Sequence, residues 1–505
     1  MRLVPLLPRT TNGFGDVLEP EDLRRLDDAL DLLRERLAHR QLWHVNSTAT
    51  GGGVAEMIGS LLPYGAGAGI DVSWLVVEGD GPFFEITKRL HNRLHGAPGD
   101  GGPLGPAERA TYDTALRAQL GDLLRAIRPG DVVVLHDPQT AGLTRPLRDH
   151  GARVVWRCHI GIDEPNARAH EAWAFLGDDV TASAATVFTR RQYVWAGLPA
   201  DRVVTIAPCI DVRSPKNQPL GSDAVAAILD IAGIIRSPAR GAPAYADADG
   251  VRRLVSRQAE LIEDAPMPPD ARLVVQVSRW DRLKDPVGVV RAFTEHGPED
   301  PDTHLLLVGP VDGVADDPES TDTFADVVRH RQALPEPARR RVHLARVPMD
   351  DPAENAAIVN AIQRRADVVV QKSLAEGFGL TVAEAMWKER PVVASRVGGL
   401  QDQVVHGESG LLVDDPADLA ACGQALRQLL GDRGAAHRLG AAARQRVREH
   451  FLPVQHVEAE AQLLGRVLDP RGSADDRHRL DGQRDAGPPP VPPIDGGLID
   501  RRAAG

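Results

Sequence analysis

The sequence predicts an α/β protein built from two parallel-sheet domains that face each other across a cleft. Three observations lead to this prediction: the length of the chain, its repeated alternation of short apolar runs with helical stretches, and a Pro-containing connection near its middle. At 505 residues the chain exceeds what one hydrophobic core usually organises. Because clefts between two such domains commonly bind ligands, we expect the functional site there.

The first domain is predicted over residues 41–212, after a polar N-terminal arm with a helical pattern at 1–40. Its first strand leads into a glycine-rich turn, and longer helix-like stretches separate the strands that follow. These β-branched runs lie at 42–45, 72–77, 132–135, 154–156 and 203–206. Their alternation with helices is typical of parallel βαβ units, in which all strands end at one edge of the sheet.

The pattern restarts after a connecting segment, and the second domain is predicted over residues 271–450. Residues 213–270 are interpreted as a linker with a flexible insertion, because Pro215 opens the segment and Gly, Ala and Pro dominate 237–245. The strand-like runs of the second domain lie at 272–277, 304–308, 342–344, 368–371 and 391–394.

The C-terminal part divides into two sections. Residues 451–469 are predicted to form a helix that crosses back to the first domain. The tail at 470–505 is rich in Asp, Arg, Gly and Pro and lacks apolar periodicity, so it is predicted to be disordered.

Composition excludes several classes of protein. Lys and Arg number 59 against 71 Asp and Glu, and the net charge of -12 disfavours general binding to nucleic acid. The three cysteines contain no CxxC pair, so neither a disulfide framework nor a zinc knuckle is indicated. No run approaches the roughly 20 apolar residues that cross a bilayer, and prolines interrupt the N-terminal apolar stretch. We therefore expect a cytoplasmic protein with no membrane partner.

The most informative stretch follows the predicted strand at 368–371 and combines a glycine-containing loop with the start of a helix. Glycines let backbone amides approach a ligand closely, and the positive N-terminus of the helix suits a phosphate group. We therefore expect a donor-binding loop formed by Gly377, Phe378, Gly379, Leu380 and Thr381.

Two carboxylates flank this loop. Glu376 lies at its entrance, and Glu384 lies about two helical turns along, so the two can address different parts of an extended ligand. One could bind the hydroxyls of a sugar and the other those of a ribose. The alternative for Glu376 alone is an acidic residue favoured by the helix dipole at a structural turn.

Two cations emerge where the first strand of the second domain ends. Arg279 can hold phosphate oxygens with two hydrogen bonds, and Lys284 is a compact charge, so together they suit a departing diphosphate. The alternative is that both are surface charges paired with Asp281 and Asp285.

The glycine-rich turn after the first strand also reaches the expected cleft. Asn46 and the glycines Gly51, Gly52 and Gly53 precede a helical pattern, but neither a Walker loop nor a GxGxxG fingerprint is present. A structural tight turn is the alternative. His136 and His159 likewise follow predicted strands, at the carboxyl ends that face such a cleft, where a structural histidine is as common as a catalytic one.

Together these motifs resemble the retaining glycosyltransferases of glycosyltransferase family 4, through Arg279 with Lys284 and Glu376 with Glu384. Closer resemblance to the trehalose glycosyltransferring synthases lies in the segments at 43–56, 76–88 and 156–160. The resemblance covers about residues 40–468 except the insertion at 238–264, and it implies a GT-B fold, with two Rossmann-like domains facing across a central cleft.

In the family a nucleoside diphosphate glucose, of the UDP or ADP type, donates glucose to the anomeric hydroxyl of free glucose, forming trehalose with retention. The resemblance implies that Arg279 and Lys284 bind the diphosphate and that Glu384 binds the ribose. It places Glu376 and the loop amides at the donor sugar, His159 beside the transferred glucose, and the Gly51 turn at the diphosphate and acceptor. It requires no metal, allows Mg²⁺ to accompany the nucleotide, and leaves a homodimer open.

Three alternatives remain from the sequence. A retaining trehalose phosphorylase would use phosphate in place of the nucleotide, and Glu384 argues against it because a ribose-binding carboxylate has little purpose without a nucleoside. A related glucosyltransferase would use another acceptor. A sensor that binds a nucleotide sugar without turnover is the non-enzymatic alternative.

Overall fold

The computed structural model describes residues 1–50, 52–237, 241–247, 249–311 and 319–469. Gly51 and the tail that was predicted to be disordered lie outside these residues. The described strands form two seven-stranded sheets and one small hairpin.

The first sheet has the strand order β1-β3-β2-β4-β5-β6-β7. Only β1 runs antiparallel, against β3, and the other pairs are parallel. Helices cover both faces, which is why its central strands are continuous apolar runs. The strands are β1 (Arg2–Val4), β2 (Leu42–Asn46), β3 (Val72–Val76), β4 (Val132–His136), β5 (Arg153–Cys158), β6 (Ala185–Phe188) and β7 (Val203–Thr205). The helices are α1 (Pro20–Arg36), α2 (Gly53–Gly67), α3 (Gly81–Leu94), α4 (Pro106–Ala126), α5 (Thr144–Asp149) and α6 (Ala167–Val180).

The segment between the sheets is more ordered than the linker predicted for 213–270. It contains α7 (Ser222–Ile231), the hairpin of β8 (Ala244–Ala246) with β9 (Arg252–Leu254), and β10 (Glu260–Ile262). The apolar side chains of α7 are buried in the largest core, and β10 pairs with the second sheet. The segment predicted as a linker with a flexible insertion therefore also carries ordered elements, because these short apolar patterns are stabilised by long-range packing. Residues 238–240 and 248 of that insertion lie outside the described residues.

The second sheet has the order β10-β13-β12-β11-β14-β15-β16, with β10 antiparallel to β13 and the remaining pairs parallel. Its further strands are β11 (Arg272–Val277), β12 (Thr303–Pro310), β13 (Val342–Val347), β14 (Val368–Gln371), β15 (Val392–Ser395) and β16 (Leu411–Val413). Its helices are α8 (Pro286–His296), α9 (Ser320–Gln332), α10 (Glu336–Arg339), α11 (Pro352–Arg365), α12 (Leu380–Trp387), α13 (Leu400–Gln403), α14 (Leu419–Gly431) and α15 (Arg433–His450). A final helix, α16, spans Pro453–Leu468.

Both sheets reverse their strand order at the strands that carry the sequence motifs. In the first sheet this point lies between β2 and β4, and in the second it lies between β11 and β14. Ligands of open α/β sheets bind outside the carboxyl ends of the strands at such a point. The predicted fold class, two Rossmann-like α/β sheets in a GT-B arrangement, is confirmed.

The N-terminal arm predicted for residues 1–40 is part of the folded body. β1 extends the first sheet, and α1 buries Leu26, Leu30 and Leu33 at helical spacing. α1 packs against α16, and Arg25 forms an ion pair with Glu458 at 2.7 Å. The polar composition of the arm concealed a single apolar stripe. None of the helices in the described ranges has the length and apolarity needed to cross a membrane.

Candidate active site

A cleft of about 860 Å³ lies between the carboxyl ends of the two sheets. Its walls come from the loops after β2, β4 and β5 on one side and after β11 and β14 on the other. Most of the sequence-predicted site residues that the structure describes meet here. Asn46, His136 and Glu384 lie outside the cleft wall.

The donor loop follows β14 and begins α12. Gly379 is the residue that precedes the helix, and its φ of +84° lies in the left-handed region that favours glycine. A Cβ there would also lie 2.5 Å from the side chain of Leu400. All five predicted loop residues, Gly377 to Thr381, line the cleft. The first amides of α12 therefore offer hydrogen-bond donors to an anion at the positive end of the helix.

Lys284 and Glu376 form an ion pair at the centre of this wall. Lys284 Nζ lies 2.5 Å from Glu376 Oε1, and the Ser373 hydroxyl donates to Glu376 Oε2 at 3.2 Å. Lys284 ends a short turn after β11, in which Asp281 accepts a hydrogen bond from the Leu283 amide. The pair therefore joins the loops that follow two adjacent strands.

Asp281 pairs with two of the cations near the cleft. Its Oδ2 lies 3.6 Å from Arg279 Nη2 and 3.6 Å from Lys88 Nζ, which belongs to α3. Burial alone would raise the pKa of Asp281, but Lys88, Arg279 and Lys284 outweigh that effect and hold it below its ordinary range. The alternative pairing of Arg279 with Asp281 is thus present. Asp285, by contrast, pairs with Lys372 and accepts from the Gly288 amide at the start of α8.

The glycine-rich turn of the first domain reaches the donor loop. Gly52 and Gly53 line the cleft, and a Cβ on Gly53 would lie 3.1 Å from the Leu380 side chain. Asn46 instead points into the fold, where its Oδ1 accepts from Trp74 Nε1 at 2.8 Å and its Nδ2 donates to the Thr48 carbonyl at 2.6 Å. The prediction that Asn46 contacts a ligand is corrected: its side chain is used to shape the turn.

Glu384 is also placed differently from the prediction. Its side chain is buried behind the cleft wall, and its Oε1 lies 3.3 Å from Lys216 Nζ. It is one turn along α12 from Thr381, which does line the cleft. Helical spacing located the residue correctly but could not show the lysine beside it.

Three histidines form a buried chain that begins at the cleft. His159 lines the cleft, its Nε2 lies 3.0 Å from His136 Nδ1, and His136 Nε2 lies 3.0 Å from His44 Nδ1. Burial lowers the pKa of all three, that of His44 to about 4. The imidazoles are therefore neutral at pH 7, and in each contact one ring donates its N–H to the unprotonated nitrogen of the next. The three histidines lie on or directly after neighbouring strands of the first sheet, so the order of the strands brings their side chains together.

Sequence reasoning missed the contacts that hold the two walls together. Tyr193 lies on the first domain, and its hydroxyl is 2.7 Å from the Glu376 carbonyl and 3.1 Å from the Gly377 carbonyl. A Cβ on Gly377 would lie 2.5 Å from the His159 carbonyl oxygen. His91 on α3 and His95 directly after that helix complete the wall near Arg279 and Lys284. No local motif marks these residues, since their partners are far away in sequence.

Asp137 is a buried carboxyl group of the cleft wall, and its raised pKa predicts a pH dependence of stability. It accepts a hydrogen bond from the His159 amide at 2.7 Å, and burial raises its pKa to about 7, against about 3.9 in unfolded chains. A raised carboxyl pKa stabilises the fold below the unfolded value, and that contribution is lost as pH rises from about 4 to about 7. Asp137→Asn keeps an acceptor oxygen, tolerates the φ of +61°, and does not titrate.

We therefore expect the melting temperature of the wild type to fall relative to that of Asp137→Asn between pH 5 and pH 8. Thermal unfolding of both proteins across this range, in buffers of equal ionic strength, measures the difference. A constant difference at every pH would contradict the assignment.

The described residues contain no group of three His, Cys, Asp or Glu side chains arranged to hold a metal ion. Cys158, Cys209 and Cys422 are buried free thiols.

Comparisons with known proteins agree with this geometry. The family described as trehalose synthase, N-terminal domain, matches residues 44–195, and glycosyl transferases group 1 matches residues 257–446. A trehalose synthase of Rubrobacter xylanophilus is 34% identical over 88% of this chain and 95% of its own length. One from Thermococcus litoralis is 32% identical over 90% of this chain and 98% of its own. A trehalose phosphorylase of Grifola frondosa is 25% identical over 80% of this chain and 53% of its own.

Solved structures share the arrangement of the two sheets. The trehalose-6-phosphate synthase OtsA has a TM-score of 0.61 at 14% identity, covering 83% of this chain and 97% of its own. The Anabaena protein HepE, solved with UDP and glucose, has a TM-score of 0.55 at 14% identity, covering 84% of this chain and 98% of its own. At these identities the likeness establishes the fold.

Proposed function

The chain belongs to the trehalose synthase family of GT-B glycosyltransferases, and we propose that it transfers glucose from a nucleoside diphosphate glucose to the anomeric hydroxyl of free glucose. The family membership makes it a trehalose-forming glycosyltransferase. The nucleotide donor, the free-glucose acceptor and retention at the donor carbon are the proposed details. The observation that carries them is the Lys284–Glu376 pair, which sets a cation and a carboxylate side by side at the start of α12.

The diphosphate would lie where the positive groups converge. Arg279, Lys284 and the first residues of α12 all line the cleft. Arg279 can offer two parallel hydrogen bonds, Lys284 a compact charge, and the helix end a set of oriented N–H dipoles. These groups favour the diphosphate most strongly as it departs, because its negative charge is then greatest.

Glu376 would bind the hydroxyls of the transferred sugar. One of its oxygens is held by Lys284 and the other by Ser373, so its carboxylate is fixed in orientation. We assign it no nucleophilic role. In the proposed front-face route the bond between the anomeric carbon and the phosphate oxygen breaks as the acceptor oxygen attacks from the same side. The acceptor proton passes to the departing diphosphate, and no metal is needed for this balance.

The first domain would close the site over the acceptor. His159, Gly52 and Gly53 face the donor loop, and Tyr193 contacts the backbone of Glu376. Such contacts exclude water, which would otherwise compete with glucose for the activated sugar. UDP and glucose are bound by HepE, which shares the fold, and this supports both ligand classes here.

Product analysis tests the proposal. The purified protein is incubated with glucose and each of UDP-glucose, ADP-glucose and GDP-glucose, and the products are separated and examined by ¹H NMR. We expect α,α-trehalose and an equimolar nucleoside diphosphate with at least one donor, and no trehalose when glucose is omitted.

Other outcomes identify the alternatives. Conversion of trehalose and inorganic phosphate to glucose 1-phosphate, without reaction of any nucleotide sugar, would indicate a phosphorylase. Donor binding with no turnover for any acceptor would indicate a sensor. A product with a β linkage at the donor carbon would contradict retention.

A further inference from the structure

Lys216 lies where the two halves of the protein and their connection meet. Its Nζ is 2.7 Å and 3.1 Å from the two carboxylate oxygens of Glu56, which belongs to α2 of the first domain. The same Nζ is 3.3 Å from Oε1 of Glu384 on α12 of the second domain. Lys216 and Glu56 line the cleft, whereas Glu384 lies just behind its wall. One lysine from the connecting segment thus bridges a carboxylate of each domain.

The carboxylate of Glu384 is only half satisfied. Its side chain is 1% exposed, and its second oxygen, Oε2, has no hydrogen-bond partner among the described residues. A buried carboxylate oxygen without a donor is costly, so such an atom in a folded protein calls for a ligand. The ligand must supply hydrogen-bond donors, because an ionised carboxylate only accepts.

Lys216 favours the charged form of this carboxylate. Burial raises the pKa of Glu384 above its ordinary value, and Lys216 opposes that rise more strongly than any other neighbour. The two carboxylates in turn raise the pKa of Lys216 although its own burial would lower it. The lysine therefore stays protonated and holds Oε1, which leaves Oε2 as the free acceptor.

The backbone around Lys216 is fixed by the second domain. Asn360 Nδ2 donates to the carbonyls of Pro215 and Gln218 at 2.9 Å and 3.0 Å. Lys388 Nζ donates to Asn217 Oδ1 at 3.0 Å and to the Glu384 carbonyl at 3.1 Å. Both sides of Lys216 are thus tied to the second domain, one side to α11 and the other to the end of α12, the helix that carries Glu384. The position of its ammonium group is set before any ligand arrives.

We propose that Lys216 is a positioning residue for the nucleoside of the donor: it holds Oε1 of Glu384 so that Oε2 is presented to the ribose hydroxyls. This inference rests on the proposed function, in which the donor carries a nucleoside, and on the ribose contact that the resemblance implies for Glu384. Through Glu56, the same lysine links the occupied nucleotide site to the first domain. If Lys216 only joined the two domains, its replacement would weaken nucleotides with and without ribose hydroxyls equally.

The experiment compares nucleotides with and without those hydroxyls. Binding of UDP and ADP, and of their 2′,3′-dideoxy forms, is measured by calorimetry for the wild type and for Lys216→Met. In the wild type we expect the dideoxy form of the preferred nucleotide to bind about tenfold more weakly, since hydrogen bonds to charged groups contribute about 1.5–3 kcal/mol. In Lys216→Met the ribonucleotide should weaken by about tenfold while the dideoxy form changes less than about twofold.

Three further variants separate this role from simple cohesion of the domains. Arg213→Met alters a neighbour in the same segment that does not line the cleft, and it should leave all four affinities unchanged. Glu56→Gln weakens the link to the first domain but leaves Lys216 on Glu384, so the preference for ribose should persist. Lys216→Gln keeps a hydrogen-bonding side chain and serves if Lys216→Met does not fold, with an expected loss of at least about threefold in the preference.

Equal preference for ribose in the wild type and in both Lys216 variants would overturn the inference while leaving nucleotide binding, and so the proposed function, in place. A wild type that binds neither UDP nor ADP would overturn the proposed function and this inference with it.

Discussion

Replacing Lys284 with alanine is expected to lower turnover about a thousandfold, because a site of this type loses about 10²–10³ in rate when one group that stabilises the developing charge is removed. Lys284 Nζ is 2.5 Å from Glu376 and faces the region where the positive groups converge. In the proposed mechanism its loss removes a positive charge that stabilises the departing diphosphate, and it also releases the Glu376 carboxylate that orients the sugar. Initial rates of nucleoside diphosphate release, measured with saturating donor, give the change.

The fold should survive this substitution. The turn that carries Lys284 is held by backbone contacts, since Gln276 Nε2 donates to the Lys284 carbonyl at 2.8 Å and Asp281 accepts from the Leu283 amide. Arg282→Ala is the matched control, because Arg282 is an exposed cation in the same turn. We expect this control to keep full turnover. Rates for Lys284→Ala within about threefold of the wild type would reject the role in charge stabilisation.

Replacing Gly377 with alanine is expected to reduce turnover about a hundredfold, since a misplacement of about 1 Å can cost that much in a preorganised site. The added Cβ would lie 2.5 Å from the His159 carbonyl oxygen, and both atoms belong to backbone or are attached directly to it. The donor loop and the first domain would have to separate by a large fraction of an ångström. The groups proposed to contact the diphosphate most directly, Arg279, Lys284 and the first amides of α12, lie on the second domain, so nucleotide affinity should change far less than turnover.

Gly177→Ala is the control for this substitution. Gly177 lies within α6, and a Cβ there would meet no atom within 4 Å. Alanine favours a helix over glycine by about 0.5–1 kcal/mol, so this variant should be slightly more stable and fully active. If Gly377→Ala retained wild-type turnover, the close approach of the two domains at His159 would not be part of the active arrangement.

The strand ends and the loops after them could be predicted from the sequence because their signals are local. The runs at 272–277 and 368–371 consist mainly of Val and Leu and do not alternate with polar residues, which indicates strands buried on both faces. Gly377 and Gly379 then mark a turn into a helix, and Arg279, Lys284 and Glu376 follow the strands at fixed short distances. Parallel sheet topology brings such loops to one edge. The local sequence pattern and the order of the strands are therefore enough to predict which loops of the second domain line the cleft.

Elements with weaker local signals were misjudged. The helix at Ser222–Ile231 has only 10 residues within a segment rich in Gly and Pro, and it is stabilised by burial against α11. The helix at Pro20–Arg36 is polar except for one stripe, which is buried only because α16 returns from the far end of the chain. The first segment was predicted as a linker and the second as an arm, and both are integral parts of the fold.

Side-chain direction was the other limit of sequence reasoning. Asn46 follows the expected pattern of a ligand-facing turn, yet its amide is satisfied by Trp74 and Thr48. Glu384 has the expected spacing from Glu376, yet Lys216, which lies 168 positions earlier in the numbering, takes one of its oxygens. Neither partner can be inferred from the motif itself.

The sequence by itself determined the two α/β domains, the donor loop, and the cations and carboxylate that surround it, because each depends on periodicity or spacing within a few tens of residues. Only the tertiary structure decided how the domains meet: Tyr193 on the Glu376 backbone, the His44–His136–His159 chain, and Lys216 between Glu56 and Glu384. The physical reason is that these contacts join residues from separate elements, and their geometry is fixed by packing across sheets and domains.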